Sequence, residues 1–415
     1  MKPAASRRIA FVTPEFPTEI TNAGGLANYL GRICPTLVRM GHSVDVFTIS
    51  QKPSGIIDYQ GVRVHRVNPG PAKWWEKGFG AIRYFSRCLN FSEIFAIRRE
   101  AKALAKSFEK ISQARSYDIV QSSDYRLSGM FIRSHPGQMH VVRCSAASTL
   151  LDSLESGIAS IHSLWTASRE KVWLRQVDCI YAPSRFVAEY KRNALGLQVD
   201  VVRPPFFLEV ESQKDQSRSL PNRYLFHFGN ISRIKGSDLI EKALEIAWQT
   251  APELNMVWAG KLPIDKDFSS TYPTLYSNEK RFVWLGPLEK PELYGILKGA
   301  AAVVAPSRCD NLPNNVLESL ACGVPVIGSV GASIDEIVDD GVHGELVPIG
   351  DVEALAASLV RAWRSKPPFD GRKFPPLVDD FEPQNAARKL LGYACRDVDP
   401  KGTRHVRVSK QAVPA

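Results

Sequence analysis

Short apolar runs rich in Val and Ile recur along the chain, and amphipathic stretches separate them. Residues 9–12, 44–49, 62–67, 118–120 and 141–142 read as buried strands. Between the first two, Leu26, Leu30, Ile33, Leu37 and Met40 recur at helical spacing, which predicts a helix over 26–40 with one apolar face. The alternation then resumes. Residues 224–228, 255–258, 281–285, 301–305 and 324–328 read as strands, with helices over 237–250, 291–299 and 314–321. Buried strands alternating with helices predict an α/β fold, each parallel sheet covered on both faces. Two such series predict two domains, 1–207 and 222–380, joined by a polar linker over 208–221 that lacks an apolar period. A last helix is expected over 381–395, and a tail without packed structure over 396–415.

Composition narrows the class. A chain of 415 residues with 44% hydrophobic and 23% charged residues is a globular one, of two or three domains. No apolar run reaches the ~18 residues of a membrane-spanning helix. The first apolar segment is short and is cut by Pro14, so it reads as a strand and not as a signal peptide. Seven cysteines, odd in number, widely spaced and without a CxxC pair, predict neither a disulfide framework nor a zinc site. The expectation is a reduced, cytoplasmic protein. A formal charge of +10 predicts an anionic partner without choosing it.

Three loops carry candidate chemistry. Gly24 and Gly25 lie between the first strand and first helix, where backbone N–H groups can approach an anion or simply make a tight turn. Their spacing breaks the GxGxxG pattern of dinucleotide-binding oxidoreductases. The loop from Gly229 to Gly236 holds Asn230, Arg233 and Lys235 before another helix, either a diphosphate site or a solvated basic turn. After the strand at 301–305 come Asp310, Asn311, Leu312, Pro313, Asn314 and Asn315, then Glu318 one helical turn in. Asp310 sits at the carboxyl end of a strand, where open α/β sheets bind ligands. Asn314 or Asn315 can cap the helix, and the two carboxylates either accept hydrogen bonds from a sugar and a ribose or are a capping Asp and a surface Glu.

In order, these loops, together with Ala182-Pro183-Ser184-Arg185-Phe186 and Leu320-Ala321-Cys322-Gly323-Val324-Pro325-Val326, resemble the retaining GT-B glycosyltransferases of family 4, over roughly 9–395. The resemblance implies two Rossmann-like domains facing across a cleft, the C-terminal one for a nucleotide-diphosphate sugar and the N-terminal one for the acceptor. It implies that Arg233 and Lys235 hold the diphosphate, Glu318 the ribose, and Asp310 with Asn311, Leu312 and Pro313 the sugar. Asn230 and Asn314 border the donor, and Gly24 and Gly25 approach it from the other side. It further implies same-face attack, the leaving phosphate taking the acceptor's proton, with no metal and no cofactor beyond the nucleotide-sugar, a substrate. Three departures stand out. Asp310 replaces the usual Glu, Asn230 an Arg, and Arg143-Cys144-Ser145 a His-bearing loop, leaving Arg143, Cys144 and Ser145 either as acceptor contacts or as a plain loop. A nucleotide-sugar epimerase, a sugar phosphorylase or an inactive nucleotide-binding relative are the alternatives.

Other features are bland or divided. Asp265-Lys266-Asp267 and Asp397-Val398-Asp399 match a metal-binding DxD pattern but read as solvated loops. Residues 72–115 hold ten basic and four acidic residues, with Trp74 and Trp75 among their aromatics. They suit a peripheral contact with an anionic membrane, and so a lipid-linked acceptor, or else a helix pair with solvated cations and a glycan acceptor. No nucleic-acid module accompanies them.

Overall fold

The computed structural model describes residues 6–20, 24–72, 91–133, 135–208, 220–261, 279–365 and 379–394. Outside them lie most of the linker, both DxD segments, Trp74 and Trp75, and the C-terminal tail. The chain divides into two units, Met1–Phe206 with Asp380–Ala415, and Phe207–Asp379.

In the first unit β1 (Arg8–Thr13) is buried on both faces, which is why it reads as an unbroken apolar run. Ile9 and Phe11 pack under Leu30, Ile33 and Leu37 of α1 (Gly25–Arg39), while Ala10 and Val12 face Leu104 and Phe108 of α2 (Phe91–Ser112). The remaining strands are β2 (Ser43–Ile49), β3 (Gly55–Tyr59), β4 (Val62–Val67), β5 (Ile119–Ser123), β6 (Met139–Arg143), β7 (Cys179–Ala182) and β8 (Asp200–Val201). Between β6 and β7 run α3 (Ser148–Ser156) and α4 (Ile161–Trp173), and α5 (Arg185–Leu195) follows β7. The sheet order is β3-β4-β2-β1-β5-β6-β7-β8. One correction to a purely parallel sheet is needed: β3 pairs antiparallel with β4. Gln60 and Gly61 between them both have positive φ, 53° and 82°, a two-residue hairpin turn too short for a parallel crossover.

The second unit carries β9 (Leu225–Phe228), α6 (Ser237–Thr250), β10 (Met256–Ala259), β11 (Phe282–Trp284), α7 (Lys290–Gly299), β12 (Ala302–Ala305), α8 (Asn314–Ala321), β13 (Val326–Ser329), β14 (Gly344–Val347) and α9 (Val352–Arg364). All six strands are parallel, in the order β11-β10-β9-β12-β13-β14. Leu225 and Val304 pack against Ile240 and Leu244 of α6 and Leu355 and Leu359 of α9. The chain then re-enters the first unit, where α10 (Pro383–Ala394) lays Ala387 and Leu390 into the core beneath α1.

These strand orders position the chemistry. From β1 the chain moves to β2 on one side and later to β5 on the other, so the loops after β1 and β5 diverge and leave a crevice at their carboxyl ends. In the second unit β9 plays the same part between β10 and β12.

Candidate functional site

The crevice of the second unit is formed by loops that close on one another. After β9, Ser232 N–H donates to Ser237 Oγ at 3.1 Å and Ser237 N–H to Ser232 O at 3.2 Å. This loop ends at Gly236, with φ of 74°, and a Cβ there would lie 2.1 Å from the carbonyl oxygen of Pro306. Only glycine permits both the left-handed backbone and the approach of the β12 loop. Gly236→Ala is therefore expected to lower stability by about 2–4 kcal/mol, from left-handed strain and overpacking. Urea unfolding checks it; an unchanged midpoint would mean that the Pro306 loop yields freely.

Arg308 makes the second stitch. Its N–H donates to Ile234 O at 2.8 Å, and its guanidinium to Arg233 O at 2.5 Å and to both carboxylate oxygens of Asp238 at 2.6 and 2.7 Å. That fork fixes the first turn of α6 against the β12 loop. With the two loops pinned, Lys235 Nζ meets the Asp310 carboxylate in an ion pair spanning 75 residues of sequence. A third loop joins from β13, where Ala332 and Ser333 hold left-handed backbones at φ 52° and 66°. Ser333 Oγ donates to the carbonyls of Asp310 at 2.8 Å and Asn311 at 3.2 Å. Strained non-glycine residues of this kind persist where surrounding structure over-determines them, often at binding sites.

Behind Asp310, α8 begins at Asn314 and has no side-chain cap; Pro313 occupies the cap position. This corrects the expected Asn cap. Asn315 instead turns its amide toward Phe228 O at 3.3 Å, and its own oxygen accepts from Val316 N–H. Glu318 is only 7% exposed, and its Oε1 accepts from the Tyr294 hydroxyl at 3.2 Å. Arg233 and Asn230 are exposed on the β9 loop, while Leu312 and Pro313 are buried. Burial pushes the Cys309 thiol beside Asp310 up to about 12, so it stays a neutral thiol.

In the first unit Gly24 stands at the N-terminal end of α1, with Gly25 opening the helix. The place expected for an outside anion holds a carboxylate of this chain: Glu15 Oε1 accepts from Ala27 N–H at 3.1 Å. Burial raises the Glu15 carboxyl above its ordinary range, against that hydrogen bond and the field of Arg143. Arg143 stacks over the Tyr29 ring at 4.6 Å. Ser145 donates both N–H and Oγ–H to Asp124, the latter at 2.8 Å. Asp124 also accepts from Lys191 Nζ at 3.0 Å, and Lys191 pairs with Glu170 as well, all three buried. Burial opposes the Lys191 charge, but its two carboxylate partners win and raise its pKa.

The structure thus brings Lys235 and Asp310 together, with Glu318 on the helix that follows, and separately gathers Gly24, Arg143 and Ser145 around Glu15 and Asp124. Sequence reasoning missed Arg308, Asp238, Glu15, Asp124, Glu170 and Lys191. Lys191 lies within Glu189-Tyr190-Lys191-Arg192, which reads as a solvated helix face. Asp238 did leave a signal, as an acidic residue in the first turn of a helix.

Residues 222–365 match the family model of glycosyl transferases group 1, and residues 24–205 that of the glycosyl transferase 4-like domain. A D-inositol 3-phosphate glycosyltransferase of Kribbella flavida is 25% identical over 367 residues, 81% of this chain and 82% of that protein. One from Catenulispora acidiphila is 28% identical over 370 residues, covering 83% and 84%. Among solved structures, sucrose-phosphate synthase from Thermosynechococcus elongatus superposes with a TM-score of 0.70 at 20% identity, covering 93% of this chain and 98% of that one. HepE from Anabaena, in complex with UDP and glucose, does so with a TM-score of 0.63 at 14% identity and the same coverage. With two α/β units, one sheet wholly parallel and the other parallel but for its edge strand β3, and a transferase family model on each, the chain belongs to the GT-B glycosyltransferases of family 4 type.

Proposed function

We propose that this glycosyltransferase moves a sugar, with retention, from a nucleotide-diphosphate sugar held by the second unit to a hydroxyl of a glycan or lipid-linked acceptor bound by the first. The observation that carries the donor reading is the meeting of Lys235 and Asp310 at the switch point between β9 and β12, with Glu318 buried in α8 behind them. HepE, of the same fold, binds UDP and glucose.

In this reading the diphosphate takes Lys235 from Asp310, which turns to the sugar hydroxyls. Asn311, Leu312 and Pro313 offer backbone to the sugar, and Asn230 and Asn314 border it. Glu318 accepts from the ribose. Charge grows on the departing diphosphate, and Lys235, Arg233 and the uncapped N-terminus of α8 meet it without a metal ion. The leaving phosphate takes the acceptor's proton, so attack comes from the face it vacates. The relatives are named for D-inositol 3-phosphate, a compound that carries hydroxyls.

Calorimetry with a panel of nucleotide-sugars tests the donor side. Glu318→Gln keeps the shape but removes the charge, and is expected to weaken donor binding about tenfold, the loss of a charged hydrogen bond. Unchanged affinity in both the Gln and the Ala variant would remove Glu318 from the site.

A cytoplasmic location with peripheral contact to an anionic leaflet belongs to the same proposal. No helix among the described residues is long and apolar enough to cross a membrane. On α2, Arg98, Lys102, Lys106 and Lys110 follow one another at four-residue spacing and are all exposed, while Ile97, Leu104 and Phe108 are buried. Such a row gains about 1 kcal/mol per cation near an anionic surface. Vesicle co-sedimentation is expected to favour anionic over neutral lipid, and Lys102→Glu with Lys106→Glu to reduce the difference. Equal recovery with both lipids would leave the row merely solvated.

A further inference from the structure

Among the described residues, most cations around the first unit's crevice are committed to carboxylates of this chain; Arg143, stacked on Tyr29 with its field reaching Glu15, is an exception. Arg66, near the carboxyl end of β4, donates Nε to Glu19 at 2.8 Å, and the Glu19 side chain is 2% exposed. Arg126, in the turn after β5, is shared between Glu93 and Glu100 of α2, the latter at 2.7 Å. That turn is over-determined: Arg126 and Leu127 both hold left-handed backbones, at φ 55° and 50°, and Asp124 just before them is bound to Lys191 and Ser145. Lys191 in turn lies between Asp124 and Glu170. At the N-terminus of α1, the most favourable place for an outside phosphate, the Glu15 carboxylate takes the Ala27 N–H.

Counted with Arg143, four cations face six carboxylates, so the described residues leave the crevice short of positive charge. An arriving phosphate would displace a buried carboxylate from its partner or sit beside it, and both cost free energy. A hydroxyl faces no such conflict, because Glu15, which is only partly buried, is an acceptor that a sugar or cyclitol hydroxyl can donate to.

Resting on the reading of the first unit as the acceptor-binding one, we propose that the acceptor presents an uncharged, hydroxyl-rich end to this crevice, and that phosphorylated polyols are rejected there. One uncompensated like charge about 8 Å away, at an effective dielectric near 20, is worth roughly 2 kcal/mol, or about 30-fold. The relatives named for a phosphorylated inositol would then differ from this chain in acceptor class.

The test uses the full chain saturated with UDP, which fills the diphosphate site of the second unit. Titration calorimetry compares myo-inositol with D-inositol 3-phosphate and glucose with glucose 6-phosphate, for the native chain, Glu15→Gln and Glu93→Gln. Where a nucleotide-sugar supports turnover, nucleoside diphosphate release is measured with the same pairs. The native chain is expected to bind and use each phosphorylated member at least tenfold less well than its neutral partner, or to bind no phosphorylated member up to 10 mM. Glu15→Gln vacates one negative charge and Glu93→Gln frees part of Arg126, so each should bring phosphate binding up by tenfold or more. Phosphorylated members bound as well as or better than neutral ones by the native chain, or no gain in either variant, would overturn the proposal. Failure of UDP to bind at all strikes the donor reading instead, and the phosphate titrations still report on the crevice.

Discussion

Lys235→Ala is expected to lower kcat by 10²–10³, while the Michaelis constant for the donor changes by less. Lys235 stands in the β9 loop at the β9–β12 crevice, where its partner is Asp310. The ammonium is partly screened there, with 27% of its side chain exposed, so its pairing with Asp310 is a weak lock that a diphosphate can open. On the proposed reading its larger effect comes when charge develops on the leaving group. Loss of one preorganised electrostatic donor costs about 2.7–4 kcal/mol in the transition state, and less in the ground state. Arg233→Ala should lower turnover in the same direction, because its exposed guanidinium can swing toward the same charge. Arg308→Ala acts differently: it releases Asp238 and the Arg233 carbonyl, so it loosens the loop without removing a charge from the leaving group. EDTA should leave native turnover intact. A fall below threefold for both Lys235→Ala and Arg233→Ala would remove these cations from the reaction, and complete loss with EDTA, restored by Mn²⁺ or Mg²⁺, would hand their work to a metal.

The parts of this fold that were legible are those with strong periodicity. Ile9, Phe11 and Val12 form a doubly buried strand, and Leu30, Ile33 and Leu37 mark one face of α1, because burial on both sides of a sheet leaves little room for polar residues. The edge strand β3 escaped, since it is largely exposed and its residues alternate too weakly to announce it. The loop motifs around Lys235 and Asp310 were legible because glycines, a cation pair and a carboxylate crowd into short segments after buried strands. The partners that give those motifs geometry were not. Arg308 and Asp238 are 70 residues apart, and only the adjacency of β9 and β12 unites them. Lys191, Asp124 and Glu170 are harder still, because a buried lysine shares the sequence signature of a solvated one. Glu15 is the instructive case: Gly24 and Gly25 do mark a helix N-terminus, and the Ala27 N–H in its first turn donates to a carboxylate of this chain that no local pattern announces.

Acid should destabilise both units between pH 6.5 and 4, before most carboxylates titrate. His140 of β6 and His227 of β9 are both buried, and burial pushes each down to about 4. His140 sits with Nε2 2.8 Å from Ser122 Oγ, tilted against Trp173. His227 Nδ1 lies 2.8 Å from the Val304 carbonyl, which can only accept, so Nδ1 carries the proton and Nε2 is the bare nitrogen. Among the described residues Nε2 has no hydrogen-bond partner, and Lys235 adds a repelling charge. An unfolded histidine titrates near 6.5. Between 6.5 and 4 the unfolded chain therefore binds more protons than the folded one, and stability rises with pH across that window. The contribution is fully present above 6.5 and is lost as pH falls toward 4. At roughly 1.4 kcal/mol per pKa unit, each site accounts for about 3 kcal/mol, and the pair for a sum comparable with the whole stability of a typical domain. Because one histidine lies in each unit, calorimetric scans at pH 7.5, 6, 5 and 4.5 should show both units losing stability together. His227→Asn is expected to flatten the pH dependence of the second unit only, and His140→Asn that of the first, each variant being less stable than the native chain at pH 7.5 but losing less on acidification. A native chain with the same unfolding temperature at pH 7.5 and pH 4.5 would mean that both imidazoles accept protons in the folded state, and that water reaches Nε2 of His227.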